Sequence, residues 1–175
     1  MVCYCLYCRT AAANAVVRDA ERVFGCRAIR PKQIQHTRRN RKPVDIERDL
    51  LPGYVFLYAE EKLEVSKMWL IDGVIRVLRN PDATGEHRGT YELKGADEAF
   101  ALILLGKDGT IGRTAVYEEG QTIKLKDSVF RGLETKILKV DRRNERMMIE
   151  IPFANRTIRT WVGYEVVEGS IKDQP

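Results

Sequence analysis

The sequence predicts an α+β domain followed by a small all-β barrel, joined by a glycine-bearing linker. Before residue 106, apolar residues recur at helical spacing in some segments and alternate with the two-residue period of strands in others. After residue 118 only the strand period remains, in short segments parted by polar turns. Residues 107–118 lie between, with Gly109 and Gly112 and no clear apolar period. The predicted domains are therefore residues 1–106 and 119–175.

Residues 2–8 are apolar and rich in Cys and Tyr, and predict a buried strand. Residues 11–24 place Ala13, Val16, Val17, Ala20, Val23 and Phe24 on one helical face. Thr10 is a candidate cap for that helix, and Gly25 stops it. Residues 26–35 predict a second strand, and residues 36–48, polar and holding Pro43, a mobile hairpin tip. Residues 51–58 form the clearest strand. A short helix over 62–71, a strand over 73–78, a turn at Asn80-Pro81-Asp82 and a helix over 96–105 follow. The predicted order is β-α-β-β-α-β-α, with a mixed or antiparallel sheet. The helix over 96–105 is apolar nearly all round and is suited to packing on two surfaces. In the second domain, strands are expected over 121–125, 133–140, 147–151 and 156–162, with Val166–Val167 closing a fifth. Closure into a barrel removes sheet edges.

Composition narrows the function. Lys and Arg total 30 against 25 Asp and Glu, a net charge of +5, which favours an anionic partner. No run approaches the roughly 20 apolar residues of a membrane span, and the N-terminus lacks a secretory pattern. Cys3, Cys5, Cys8 and Cys26 crowd one end of the chain, as expected of reduced thiols in a cytoplasmic protein. Cys5 and Cys8 make a Cys-x-x-Cys, but Cys5 falls within a strand, so buried small hydrophobes are expected rather than a metal or redox site. His36 and His87 lie in polar stretches without metal-ligand spacing. No phosphate-cradling loop or nucleophile elbow is present. No catalytic residue, cofactor or metal is expected. Trp69 and Trp161 sit in apolar patterns that predict core positions.

In residues 51–58, alternation puts Tyr54, Phe56 and Tyr58 on one face and Val55 and Leu57 on the other. Both faces are apolar, so either both are covered or one is a protein-binding patch. Pro52-Gly53-Tyr54-Val55 resembles the corresponding segment of NusG N-terminal domains, set after a basic hairpin and before a helix, Gly73-Val74 and the Val77-Leu78 strand. Gly120-Gln121-Thr122-Ile123-Lys124-Leu125 and Phe130-Arg131-Gly132-Leu133 resemble an SH3-like KOW barrel. Over nearly its whole length the chain thus resembles the NusG family of transcription elongation factors. Val2-Cys3-Tyr4, where the family usually carries a Trp, and the basic second domain look most like the LoaP antiterminator paralogues.

The resemblance implies a monomeric factor that docks on the clamp helices of RNA polymerase. Tyr54 and Phe56 would be the anchors, with Tyr7 a weaker one. Arg38, Arg39, Arg41 and Lys42, in a stretch free of acids, are candidates for phosphates of non-template or upstream DNA. Arg131, Lys136, Lys139, Arg142, Arg143, Arg146, Arg156 and Arg159 are candidates for a nascent RNA hairpin. Three alternatives stand beside this reading. One is a general NusG-type factor coupling polymerase to translation or termination through apolar loop residues such as Phe130. The others are a ribosome-associated RNA-binding protein and an oxidoreductase built on Cys5 and Cys8.

Overall fold

The computed structural model of the chain describes residues 1–39, 42–79, 89–120, 122–126, 129–130 and 133–168. The first domain runs β1 (Val2–Cys8), α1 (Ala13–Phe24), β2 (Arg27–Ile29), β3 (Lys32–Arg39), β4 (Lys42–Asp49), β5 (Tyr54–Ala59), α2 (Val65–Trp69), β6 (Val74–Val77) and α3 (Gly95–Gly106). Next come β7 (Thr110–Ile111), β8 (Thr114–Glu119), β9 (Thr122–Leu125), β10 (Lys136–Asp141), β11 (Arg146–Phe153) and β12 (Arg156–Val166). The turn expected at residues 80–82 lies outside the described residues.

One four-stranded sheet, ordered β2-β5-β1-β6 and antiparallel throughout, organises the first domain. The β5 register sets Phe56 opposite Cys5 and Tyr54 opposite Tyr7. Alternation then divides the strand. Val55 and Leu57 join Tyr4 and Leu6 on one face, beneath Ala13, Val16 and Ala20 of α1 and Met68 of α2. Tyr54, Phe56 and Tyr58 join Cys3 and Cys5 on the other, against Phe100, Ala101 and Leu104 of α3. The Tyr58 hydroxyl donates to the Ala101 carbonyl at 2.8 Å, which fixes α3 on that face. The three N-terminal cysteines are buried in these apolar clusters, and burial pushes their thiols up.

Several expectations are corrected. The segment 26–35 is two strands, split at Pro31, which has no N–H to give a ladder. The polar stretch expected to be a mobile tip is, over its described residues, a regular ladder: β3 and β4 pair from Lys32–Asp49 out to Arg39–Lys42. Thr10 opens a 3-10 turn, Thr10–Ala12, rather than capping α1 with its side chain. Trp69 is 45% exposed, because Met68 takes the inward position of the five-residue α2.

The second domain is one five-stranded sheet, ordered β10-β11-β12-β8-β9. Its fifth strand is β8, taken from the segment expected to be linker, while β12 continues through Val166 in one piece. β8 pairs parallel with Tyr164–Val166, a partner some fifty positions away that local periodicity does not reveal. Among the described residues no ladder joins β9 to β10, the step that would close the expected barrel. The connection between domains shortens to residues 107–113, and even there β7 pairs parallel with β3 in a small sheet ordered β4-β3-β7.

Candidate interaction site: an aromatic ridge closed by the second domain

The aromatic face of β5 is not open to solvent. Phe56 is fully buried and Tyr54 is 7% exposed. Their cover comes from α3 and from the inner face of the second domain, where Phe130, Met147, Ile149, Ile151, Phe153 and Val162 belong to the same cluster. Phe56 meets Phe153 edge-on at 5.5 Å between ring centroids, and Phe100 meets Phe153 at 5.8 Å. Phe100 also stacks on Phe130 at 6.0 Å. An apolar ridge left in water costs about 2 kcal/mol for each large side chain, so a second apolar sheet face is a natural lid.

Polar contacts surround this aromatic centre. The buried Gln33 of β3 presents its amide to the open edge of β12. Its Oε1 accepts the Gly163 N–H at 3.1 Å, and its Nε2 donates to the Trp161 carbonyl. The side chain supplies the donor and acceptor that a neighbouring strand would give, just where β8 has not yet joined β12. Gln35 Nε2 donates to the same Trp161 carbonyl at 3.0 Å. Thr160 Oγ1 donates to the Leu50 carbonyl at 2.6 Å. The Ala154 N–H, in the β11–β12 turn, donates to Asp97 Oδ2 of α3 at 2.9 Å. Each such bond nets roughly 1 kcal/mol, less than one buried phenylalanine, so the rings hold the domains together and the polar contacts fix their alignment.

Tyr7 and Tyr54 lie together at the rim, ring centroids 5.1 Å apart, with the Arg156 guanidinium 5.8 Å from the Tyr7 ring. Burial raises the Tyr54 hydroxyl, and a hydrogen bond with Arg156 partly offsets this. Arg156 thus stands on the inner side, at the domain junction, apart from the other basic residues of the second domain. The period-two alternation of β12 accounts for this, since Arg156 shares a face with the buried Ile158, Thr160 and Val162, and Arg159 with the outer one.

On that outer face, register lines up Lys136, Glu150 and Arg159 across three strands, and beside them Lys139, Met148 and Trp161. Arg159 pairs with Glu150 at 2.8 Å, and Arg146 with Asp141 at 3.0 Å. Arg146 also covers the Trp161 ring at 4.6 Å, which places that Trp on the outer face and not in the core. Arg142, in the turn after β10, pairs with Glu118 at 2.8 Å. Lys136, Lys139 and Arg143 have no acidic partner among the described residues. Arg38 and Arg39 lie on β3 opposite Pro43 and Lys42, while Arg41 and Arg131 fall outside the described residues.

Sequence reasoning missed Gln33, Asp97, Thr160 and Gly163. A Cβ on Gly163 would sit 2.7 Å from the Ile34 carbonyl oxygen and 3.1 Å from the Gln35 Cα. The one signal in the sequence is a glycine inside a strand pattern, which marks a close backbone approach.

Comparison with solved structures adds the fold. The chain is similar to a structure described as domain interaction in Thermotoga maritima NusG, at 14% identity and a TM-score of 0.50 over 93% of each chain. The architecture is therefore NusG-like across both domains. No protein-family model matches the chain, and no curated protein matches it. No helix among the described residues is long and apolar enough to cross a membrane.

Gly163→Ala should loosen the domains while leaving each folded. The expected result is increased hydrogen exchange at the Ala154 amide with unchanged far-ultraviolet circular dichroism; unchanged exchange would contradict the clash. A second expectation concerns pH. Burial raises the Asp97 carboxyl above its ordinary value, against the lowering effect of the Ala154 N–H. A carboxyl raised in the closed state favours closure when protonated. Closure should therefore be tightest below about pH 4 and weaken as pH rises through the raised Asp97 value. Asp97→Asn, which still offers an acceptor to Ala154, should remove this part of the pH dependence in an interdomain fluorescence-transfer titration.

Proposed function

We propose that this protein is a NusG-type transcription elongation factor held latent by its own second domain, of the specialised antiterminator kind that the LoaP paralogues represent. The observation that carries the reading is the aromatic ridge of β5, whose cover comes from α3 and from a separate domain while α1 and α2 cover the opposite face of the strand. A ridge of this composition suits the clamp helices of RNA polymerase, with Tyr54 and Phe56 as anchors and Tyr7 at the rim. Docking needs the second domain to leave. The apparent affinity for polymerase is then the intrinsic affinity reduced by the fraction of open molecules. Once bound, a factor of this kind favours the closed clamp over pause- and termination-prone states by binding one conformation better. No covalent chemistry is called for, and the protein acts as a binding factor rather than an enzyme.

The second domain is proposed to hold a nascent RNA hairpin on its outer face, through Lys136, Lys139 and Arg143, joined by Arg142, Arg146 and Arg159 where phosphate replaces their acidic partners. The hairpin arm, with Arg38, Arg39, Arg41 and Lys42, is proposed to follow upstream or non-template DNA by phosphate contacts that carry no sequence information. The second reading is a general NusG-type factor coupling polymerase to translation or termination through Phe130. Phe130 is only 1% exposed and stacked on Phe100, so in that reading closure would mask its contact together with the ridge.

Capture of purified bacterial RNA polymerase tests the principal reading. The Gly163→Ala variant should bind about tenfold more tightly than the parent. Tyr54→Ala with Phe56→Ala on that background should abolish capture. An opened variant that gains nothing would sink the proposal. For the RNA site, Lys136→Ala with Lys139→Ala and Arg143→Ala should lower the log–log salt slope of hairpin binding by about one for each phosphate no longer neutralised. An unchanged slope would remove these residues from the site.

A further inference from the structure

The chain between the domains is built into the first domain. The Thr110 and Ile111 positions of β7 pair in parallel register with Lys32 and Gln33 of β3. The Gly109 carbonyl accepts the Lys32 N–H at 2.8 Å, Asp108 pairs with Arg27, and Ile111 is 2% exposed within the core that both domains share. Gly109 is moulded to this seat. Its φ is +78°, and a Cβ there would overlap Ile29 Cγ2. On the far side, Arg113 donates to the Tyr164 carbonyl at 3.1 Å and to Glu145 at 2.7 Å, which ties the start of β8 to β12. Two residues, Gly112 and Arg113, separate the seated strand from the second domain.

We propose that β7 is the release element of the closed form, and that the second domain clears the aromatic ridge only when residues 107–113 peel away from β3. From Ile111 to Thr114 the extended chain spans about 10 Å at most, no more than the width of a helix entering the gap, about 10–12 Å across. The whole stretch 107–113, once unseated, spans about 25 Å, enough to carry the second domain clear. Gln33 links the two events. Its backbone faces Ile111, and its side chain holds the edge of β12. Unseating β7 removes a strand neighbour from the residue that latches the second domain, so seating and closure reinforce each other. The inference rests on the reading that the ridge must open to act, and it adds which segment governs the opening.

The test uses the full chain in two opposed variants. Lys32→Cys with Thr110→Cys joins register partners of β3 and β7, whose spacing as adjacent strands suits a disulfide. Oxidised, this variant should slow hydrogen exchange of the Ala154 and Gly163 amides about tenfold relative to its reduced form. Gly109→Ala should speed exchange at the same amides by a similar factor. Equal exchange in the oxidised and reduced forms would overturn the proposal, because the second domain would then swing about a seated β7. An unaltered rate in Gly109→Ala would overturn it too. Polymerase capture separates this inference from the reading beneath it. Slowed exchange on oxidation, with no capture by the reduced form, leaves β7 as the release element and removes the ridge as a polymerase anchor.

Discussion

A strand that is apolar on both faces must be covered twice, and the rest of the architecture depends on that requirement at β5. The face of Val55 and Leu57 is met locally, by α1 and α2. The face of Tyr54, Phe56 and Tyr58 is met only in part by α3, and Phe130 and Phe153 of the second domain complete it. The domains are joined by a shared apolar centre ringed by hydrogen bonds.

The polar contacts do a different task. Gln33, Gln35, Thr160 and Asp97 each meet a backbone group of the opposite domain or offer a side chain to one. Backbone groups at a sheet edge cannot be buried without partners, so the closed arrangement exists only in the register that satisfies them. Hydrophobic attraction alone would allow the sheet to slide over the ridge. The buried amide of Gln33 selects one alignment.

Much of the first domain is legible from periodicity. The two faces of β5, the buried face of α1 and the apolar helix α3 are where the residue pattern puts them, because local spacing encodes which side of an element is buried. What covers a buried side is not encoded locally. The pattern of residues 51–58 reads the same whether the lid is a helix of its own domain or a sheet of another, so the ridge is legible and its closure is not. The connection is hidden for a related reason: β7 and β8 are short, and their partners β3 and β12 are distant in sequence. Proximity along the chain groups Arg156 with Arg159, although three positions along a strand reverse the face. The buried polar residues at the junction leave almost no trace, since a glutamine or threonine in a strand is ordinarily a surface residue.

Gly163 gives the closed arrangement a marker that can be read in other chains. The Ile34 carbonyl lies against its α-carbon with no room for a methyl group. Among homologous sequences, hydrogen at this position is compatible with a covered ridge, while any side chain is not unless the arm formed by β3 and β4 is displaced. A single column of an alignment therefore separates chains that can adopt this closed packing from chains that cannot.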